Sequence, residues 1–180
     1  MNELPTIDGY TLTHLTPENG PLMQALAERC ADYFELVTGC PPGPAEAQAL
    51  FTALPAGKGY EDKMVIGVFA SSHELVGVLD VVRDYPELGK WYLGLLMLEP
   101  ARRGQGLGER LYRAFEQWAA ASGARAIRLS VAGQNGRAYR FWRRLGFVEL
   151  ERRPPARFGA KESVMIIMER ALPIAITSDR

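Results

Sequence analysis

The sequence predicts an α/β domain in which helices cover the faces of a mixed central sheet. Three observations carry this expectation: seven short apolar or alternating runs with strand character, amphipathic stretches at helical spacing between them, and a glycine-studded junction within residues 95–118 where an apolar run passes straight into a helix. With 180 residues, 47% of them hydrophobic, the chain can bury one substantial core. A single domain over residues 1–180, without linker or internal repeat, is expected.

Tyr10 to Leu15 alternates as a first strand. Pro17 and Gly20-Pro21 then open a helical stretch in which Leu22, Leu26, Tyr33 and Val37 recur on one face, and Gly39 with Pro41, Pro42 and Pro44 ends it. Ala45 to Leu54 has the pattern of a short helix, and Pro55 to Tyr60 that of a loop. Met64 to Phe69 and Leu75 to Val82 are strands joined by the polar turn Ser71 to Glu74, hence a hairpin. A connection from Asp84 to Lys90 holds Pro86 and Gly89; the run from Trp91 to Leu98 that follows is long and free of charge, as a central strand must be. Leu107, Leu111, Phe115 and Trp118 share one face of a helix that Gly123 stops. Ala126 to Val131 is the next strand. Asn135 precedes a helix carrying Phe141, Trp142 and Leu145, closed by Gly146. Phe147 to Arg153 forms another strand, a Pro- and Arg-rich loop spans Pro154 to Lys161, and Ser163 to Met168 is the last strand.

Composition excludes several classes of function. The N-terminal ten residues have neither a basic segment nor an apolar run, and no window approaches the roughly 20 apolar residues of a membrane span, so a cytoplasmic protein without membrane contact is expected. Cys30, Cys40, His14 and His73 are too scattered to make a metal-ligand set, and no nucleophile-elbow pattern occurs; no metal and two free thiols are expected. Net charge is zero, but only Arg29, Lys58, Lys63, Arg83 and Lys90 of the basic residues precede residue 100. A basic rear half suits a polyanion. The neutral total and the lack of a nucleic-acid motif argue against nucleic acid, and an acidic front favours a cationic acceptor.

The junction itself is suited to phosphate. Gly104, Gly106 and Gly108 let the backbone approach a bulky anion, the first amides of the following helix have no intrahelical acceptor, and Arg102 and Arg103 add charge. A dinucleotide fingerprint fails, because Glu109 and Leu111 stand where its third glycine belongs. A P-loop fails as well, because Thr52 and Gly59 flank the Gly57-Lys58 pair. The pattern R-x-x-G-x-G remains, met by Arg103, Gly106 and Gly108. About thirty residues on come Asn135, Ala138, Phe141-Trp142 and Gly146-Phe147 in that order. Together these motifs resemble the GCN5-related N-acetyltransferase (GNAT) family, over roughly Leu75 to Arg170.

The resemblance implies that family's fold, an acyl-CoA N-acyltransferase sheet of seven strands in which two neighbouring parallel strands, here those of Trp91 and Ala126, splay apart. It implies acetyl-CoA as co-substrate and transfer of its acetyl group to a primary amine by direct attack in a ternary complex. The diphosphate is then cradled by amides of Arg103, Gly104, Gln105, Gly106, Leu107 and Gly108, main-chain groups near Leu96 and Leu98 pair with the pantetheine arm, and Asn135 bonds that arm with Trp142 beside it. Asn135 serves equally well as a helix cap, and the glycines as a plain turn.

Attack by an amine of pKa ~10.4 requires loss of a proton, since only about one molecule in a few thousand is neutral at pH 7. No carboxylate lies within Trp91 to Leu98. Asp84, Glu87 and Glu99 are nearby, Glu61 and Asp62 more distant, and Asp80 is the favoured base because Val78, Leu79, Val81 and Val82 surround it. A solvent-facing charge on a hairpin is the alternative for Asp80. Many members of the family place a tyrosine after the motif phenylalanine to protonate the leaving thiolate; here that residue is Trp142, and Tyr139 is the substitute, or simply a packing residue. A thiol pKa near ~8.5 makes thiolate a tolerable leaving group without an acid. The acceptor is expected between the early helices, the Asp84 to Lys90 connection and the Pro154 to Lys161 loop. Two other readings stay open: a non-catalytic acyl-CoA sensor, and an enzyme acting on protein N-termini or lysines. A homodimer is compatible with the chain.

Overall fold

The computed structural model describes residues 3–173; Met1, Asn2 and residues 174–180, which the single-domain expectation includes, lie outside them. The elements run β1 (Tyr10–His14), α1 (Gly20–Arg29), α2 (Ala31–Thr38), α3 (Glu46–Thr52), β2 (Lys63–Ala70), β3 (Leu75–Val82), β4 (Lys90–Leu98), α4 (Leu107–Ala121), β5 (Ala126–Ala132), α5 (Gly136–Arg144), β6 (Val148–Arg152), β7 (Ala156–Phe158), β8 (Lys161–Ser163) and β9 (Met165–Ala171). A seven-stranded sheet has the order β1-β2-β3-β4-β5-β9-β6, antiparallel except for β4 beside β5. No helix among the described residues is long and apolar enough to cross a membrane.

Strand alternation sorts the core into two layers. On β2, Met64, Ile66 and Val68 join a cluster with Leu111, Phe115 and Trp118 of α4, while Val65 joins one with Met23, Leu26 and Phe34 of α1 and α2 on the other face. Helices thus cover both faces. The α4 face is the more aromatic: Tyr112 packs edge-on against Trp142 at 5.4 Å between ring centres, and Trp142 against Phe147 at 5.2 Å. Such pairs add roughly 0.5–1.5 kcal/mol each beyond their buried area. The Tyr112 hydroxyl, buried with them, donates to Glu116 at 3.0 Å, and burial pushes it well above the usual phenol range.

The structure departs from the sequence expectation in two places. The helix expected from Leu22 through Val37 is two helices that meet at Cys30, whose fully buried thiol donates to the carbonyl of Leu98 at 3.6 Å. A one-residue bend leaves hydrophobic spacing nearly unchanged, so periodicity does not register it. The expected loop from Pro154 to Lys161 contains the β7–β8 hairpin, which takes Ser163 from the last strand. Three-residue strands carry too little alternation to read. The hairpin instead depends on docking: Ala160 N–H donates to the Thr38 carbonyl at 2.7 Å, and Lys161 Nζ to the carbonyls of Glu35 and Leu36 at 2.7 and 3.0 Å. The lysine thereby satisfies the exposed carbonyl end of α2.

Candidate active site

β4 and β5 are paired over only three residue couples, Lys90 with Ala126, Trp91 with Ile127 and Tyr92 with Arg128. The reason lies one step further on. Along β3, Asp80 faces Leu95 but Val81 faces Leu93, so Gly94 is an extra, bulged residue, and a bulge bends its strand and sharpens the twist. β5 meanwhile stays paired with β9 over its whole length, Ala126 with Ala171 through Ala132 with Met165. One strand bends away and the other is held, so a gap opens beyond Tyr92. Because Glu99 N–H donates to Val76 on β3, alternation turns the main-chain groups of Leu98 and Leu96 toward that gap.

α2 roofs the gap and is tied to both of its lips. On one side Arg103 reaches Asp32 through both terminal nitrogens, at 2.5 and 3.2 Å, while its Nε donates to the Leu98 carbonyl at 2.7 Å. On the other, Gln134 Nε2 donates to the carbonyls of Leu36 and Val37 at 3.3 and 3.2 Å. The Arg103 pair also holds the Asp32 carboxyl below its usual range. Arg103→Ala is expected to lower stability by about 1–2 kcal/mol through the lost bond to Leu98, since the half-exposed pair to Asp32 adds little. Urea denaturation checks this.

Beneath α2 lies a cleft of about 470 Å³ lined by Leu96, Leu98, Arg103, Gly104, Gly106, Gly108, Asn135 and Trp142, among others. The first intrahelical bond of α4 runs from Arg110 N–H to Gly106 O, so the amides of Leu107, Gly108 and Glu109 precede it and are free to take an external acceptor. Gly104 and Gly106 have φ of +76° and +79°, and a Cβ on either would meet nothing within 4 Å. Their backbone therefore borders open space. The structure draws eight of the ten cofactor candidates to this cleft. The other two do not line it: Gln105 folds back onto the Ala101 carbonyl at 2.8 Å, and the Leu107 side chain is in the core, which leaves only their amides to contribute.

Asn135 caps α5, its Oδ1 accepting from Ala138 N–H at 3.0 Å, and its Nδ2 has no acceptor among the described residues. Asn135→Ala is expected to cost about 1 kcal/mol, whereas Asn135→Ser keeps a cap and should lose far less. Thermal unfolding of the two variants separates capping from any role of Nδ2 in ligand binding. Tyr139, the candidate acid, does not line the cleft; its hydroxyl donates to Glu149 on β6 at 3.0 Å. Sequence reasoning passed over Tyr33 and Leu36, which line the cleft from α2, and over Arg137, Arg140 and Arg144 of α5. The arginines carried a signal, their three-and-four spacing along one helix face; the α2 pair carried none.

Asp80 sits apart from this cleft. It faces a second cavity, of about 300 Å³, with Lys63, Tyr85, Tyr92, Gly94, Arg128 and Arg153 in its walls. That cavity lies between the segment after α3, the Tyr85-Pro86 connection and the start of the expected Pro154 loop. A Cβ on Gly94 would come within 3.2 Å of Asp80 Oδ2, so only the glycine leaves the carboxylate open to the bulge. Lys63 Nζ, its side chain 4% exposed, lies 2.7 Å from Asp80 Oδ1. Burial raises the Asp80 carboxyl above the usual carboxylate range, opposed by the lysine.

A family model described as the acetyltransferase (GNAT) family matches residues 25–147, more than half of the chain. The chain belongs to this family. No curated protein sequence matches it. Among solved structures, an acetyltransferase from Thermus thermophilus is 26% identical with a TM-score of 0.72, the match covering 91% of this chain and 97% of that one. The ribosomal-protein-S18-alanine N-acetyltransferase from Escherichia coli is 18% identical, with a TM-score of 0.67 over 95% of this chain and 99% of that one. A GCN5-related N-acetyltransferase from Kribbella flavida is 19% identical, at 0.67 over 92% and 99%. The last two show the fold alone. Membership of the GNAT family implies acyl transfer from an acyl-CoA, and the free amides at the head of α4 fit an anionic carrier.

Proposed function

We propose that this acetyltransferase uses acetyl-CoA and passes the acetyl group to a small primary amine by direct attack within a ternary complex. The observation that carries the reading is the gap where β4 parts from β5, together with two cavities that border β4. One is walled by free amides and basic residues, the other by a buried carboxylate, and they share the bent strand β4. In this reading the amides of residues 104–109 hold the diphosphate, the expected Arg103 N–H being taken by the Pro100 carbonyl at 3.2 Å; Leu96 and the Leu98 N–H pair with the carrier's arm, and Asn135 Nδ2 adds a donor. The Leu98 carbonyl is already taken by Arg103 and Cys30.

On the acceptor side, Asp80 takes the amine proton directly or through a water, and its raised pKa suits it to hold that proton. The departing thiolate needs no dedicated acid, because its basicity is modest. Tyr139 serves the α5–β6 contact through Glu149. The second cavity, of about 300 Å³, favours a small acceptor over a protein chain.

Calorimetry with CoA, paired with thiol release from acetyl-CoA over a broad panel of amines, tests the proposal. Binding with turnover on at least one small amine supports it. Binding without turnover on the whole panel replaces it with the sensor reading, and absence of binding overturns both.

A further inference from the structure

We infer that the acceptor carries an acidic group besides its amine, and that Arg128 and Arg153 bind that group in the cavity beside Asp80. The inference rests on the proposed function for the role of the cavity, and deepens it by naming the acceptor's chemistry.

The cavity wall is unbalanced in charge. Lys63, Arg128 and Arg153 face it against one carboxylate, Asp80. Strand alternation explains why they meet: Lys63 on β2, Asp80 on β3, Tyr92 on β4 and Arg128 on β5 all point to the same face of the sheet. Their partners within the chain decide what is left for a ligand. Lys63 is spent on Asp80 at 2.7 Å. Arg128 gives Nε and one terminal nitrogen to Glu169, at 2.7 and 2.6 Å, and Lys90 also reaches that carboxylate at 3.2 Å. Arg128 Nη1 has no acceptor among the described residues. Among the described residues the Arg153 guanidinium is paired with Glu151 alone, at 3.4 Å, both side chains more than half exposed, and a pair of that kind holds its guanidinium weakly. Two guanidinium groups therefore offer free N–H donors to one small cavity.

A plain alkylamine or a diamine would bring its positive charge to this wall with only a lysine-paired carboxylate in its favour. An acceptor with an amine at one end and an acid at the other turns the same wall into an attraction. Asp80 and Arg128 stand two strands apart and two residues out of line, roughly 12 Å between backbones, a gap their side chains shorten to the reach of an amino acid or a short ω-amino acid. Oriented so, the amine lies beside Asp80 at the Gly94 bulge, where β4 turns from β5 and the gap begins.

The test compares ligands that differ in one charge. With CoA bound, calorimetry is run on 5-aminopentanoate against 5-aminopentanamide and 1,5-diaminopentane, and on a set of α-amino acids against their carboxamides; thiol release from acetyl-CoA is followed on the same compounds. The acids should bind roughly tenfold to hundredfold more tightly than their amides, the value of a charge-assisted hydrogen bond. That ratio should shrink in Arg128→Gln and in Arg153→Gln. Should Arg128→Gln fail to fold with Glu169 left to Lys90 alone, Arg153→Gln and the ligand series still decide. Amides or diamines that bind as well as the acids overturn the inference and leave the transferase reading intact. An acid preference in binding with no turnover of any compound has the opposite meaning: the cavity chemistry stands and the reaction falls.

Discussion

Gly106→Val is expected to raise the dissociation constant for CoA by roughly tenfold to hundredfold. Gly106 is the N-cap of α4 with φ +79° and ψ −6°, and a Cβ there meets no atom of the chain, so the penalty is not a clash. It arises from the backbone: a β-branched residue in this left-handed conformation costs on the order of 1–3 kcal/mol. The loop escapes that cost by leaving the conformation, and the amides at the head of α4 then cease to converge. The new side chain also projects into the open space proposed to hold the anion. Gly108→Ala is the informative contrast. Gly108 has no positive φ, and its Cβ would meet Phe141 and Leu98 at 3.6 and 3.7 Å, ordinary contact distances, so binding should weaken much less. Calorimetry with CoA measures both, and denaturation monitors folding. Wild-type affinity in a folded Gly106→Val protein would remove the phosphate cradle from the head of α4.

The same segment shows which parts of the site were legible in sequence. Gly104, Gly106 and Gly108 sit in a local structure, strand then turn then helix, whose geometry depends on neighbours in the chain, and spacing alone placed them. The strands from Met64 to Leu98 were legible for a similar reason, because burial on one or both faces leaves a direct mark on residue type. The unread features depend on contacts distant in sequence. The break at Cys30 answers to the end of β4, 68 residues on, and the β7–β8 hairpin to the last turn of α2. Arg103 illustrates both cases: its position in the motif was evident, yet its side chain is engaged with Asp32 and Leu98, 71 and 5 residues away. The gap between β4 and β5 is a consequence of the Gly94 bulge, and Gly94 in an apolar run carries no sign of which strand pair it will part.

Asp80→Asn should lower kcat/KM by roughly a hundredfold or more, the usual range for removing a general base, with binding of CoA retained. The Lys63–Asp80 pair gives this prediction a pH signature. Burial raises the Asp80 pKa in the folded state above its ordinary value of 3.8, and Lys63 pulls it down. The acid limb of the kcat/KM profile should therefore lie above the usual carboxylate range, and in Lys63→Met it should move higher still. Stability follows the same sign. With its pKa raised on folding, the protonated carboxyl is the form the fold prefers, so its contribution is full below pH 3.8 and is lost as pH rises through the folded pKa. Lys63→Met should consequently be more destabilising above the folded pKa of Asp80, where an ionised carboxylate only 14% exposed loses its partner, than below it. Removing one member of a buried pair costs about 3–5 kcal/mol, and the residual exposure of Asp80 favours the lower end. Asp80→Asn removes the titrating carboxyl itself, so the loss of stability with rising pH that Asp80 contributes should be missing from its profile. Paired urea titrations on either side of that pKa distinguish the patterns. If the acid limb stays put in Lys63→Met, Asp80 is not the group whose ionisation governs transfer.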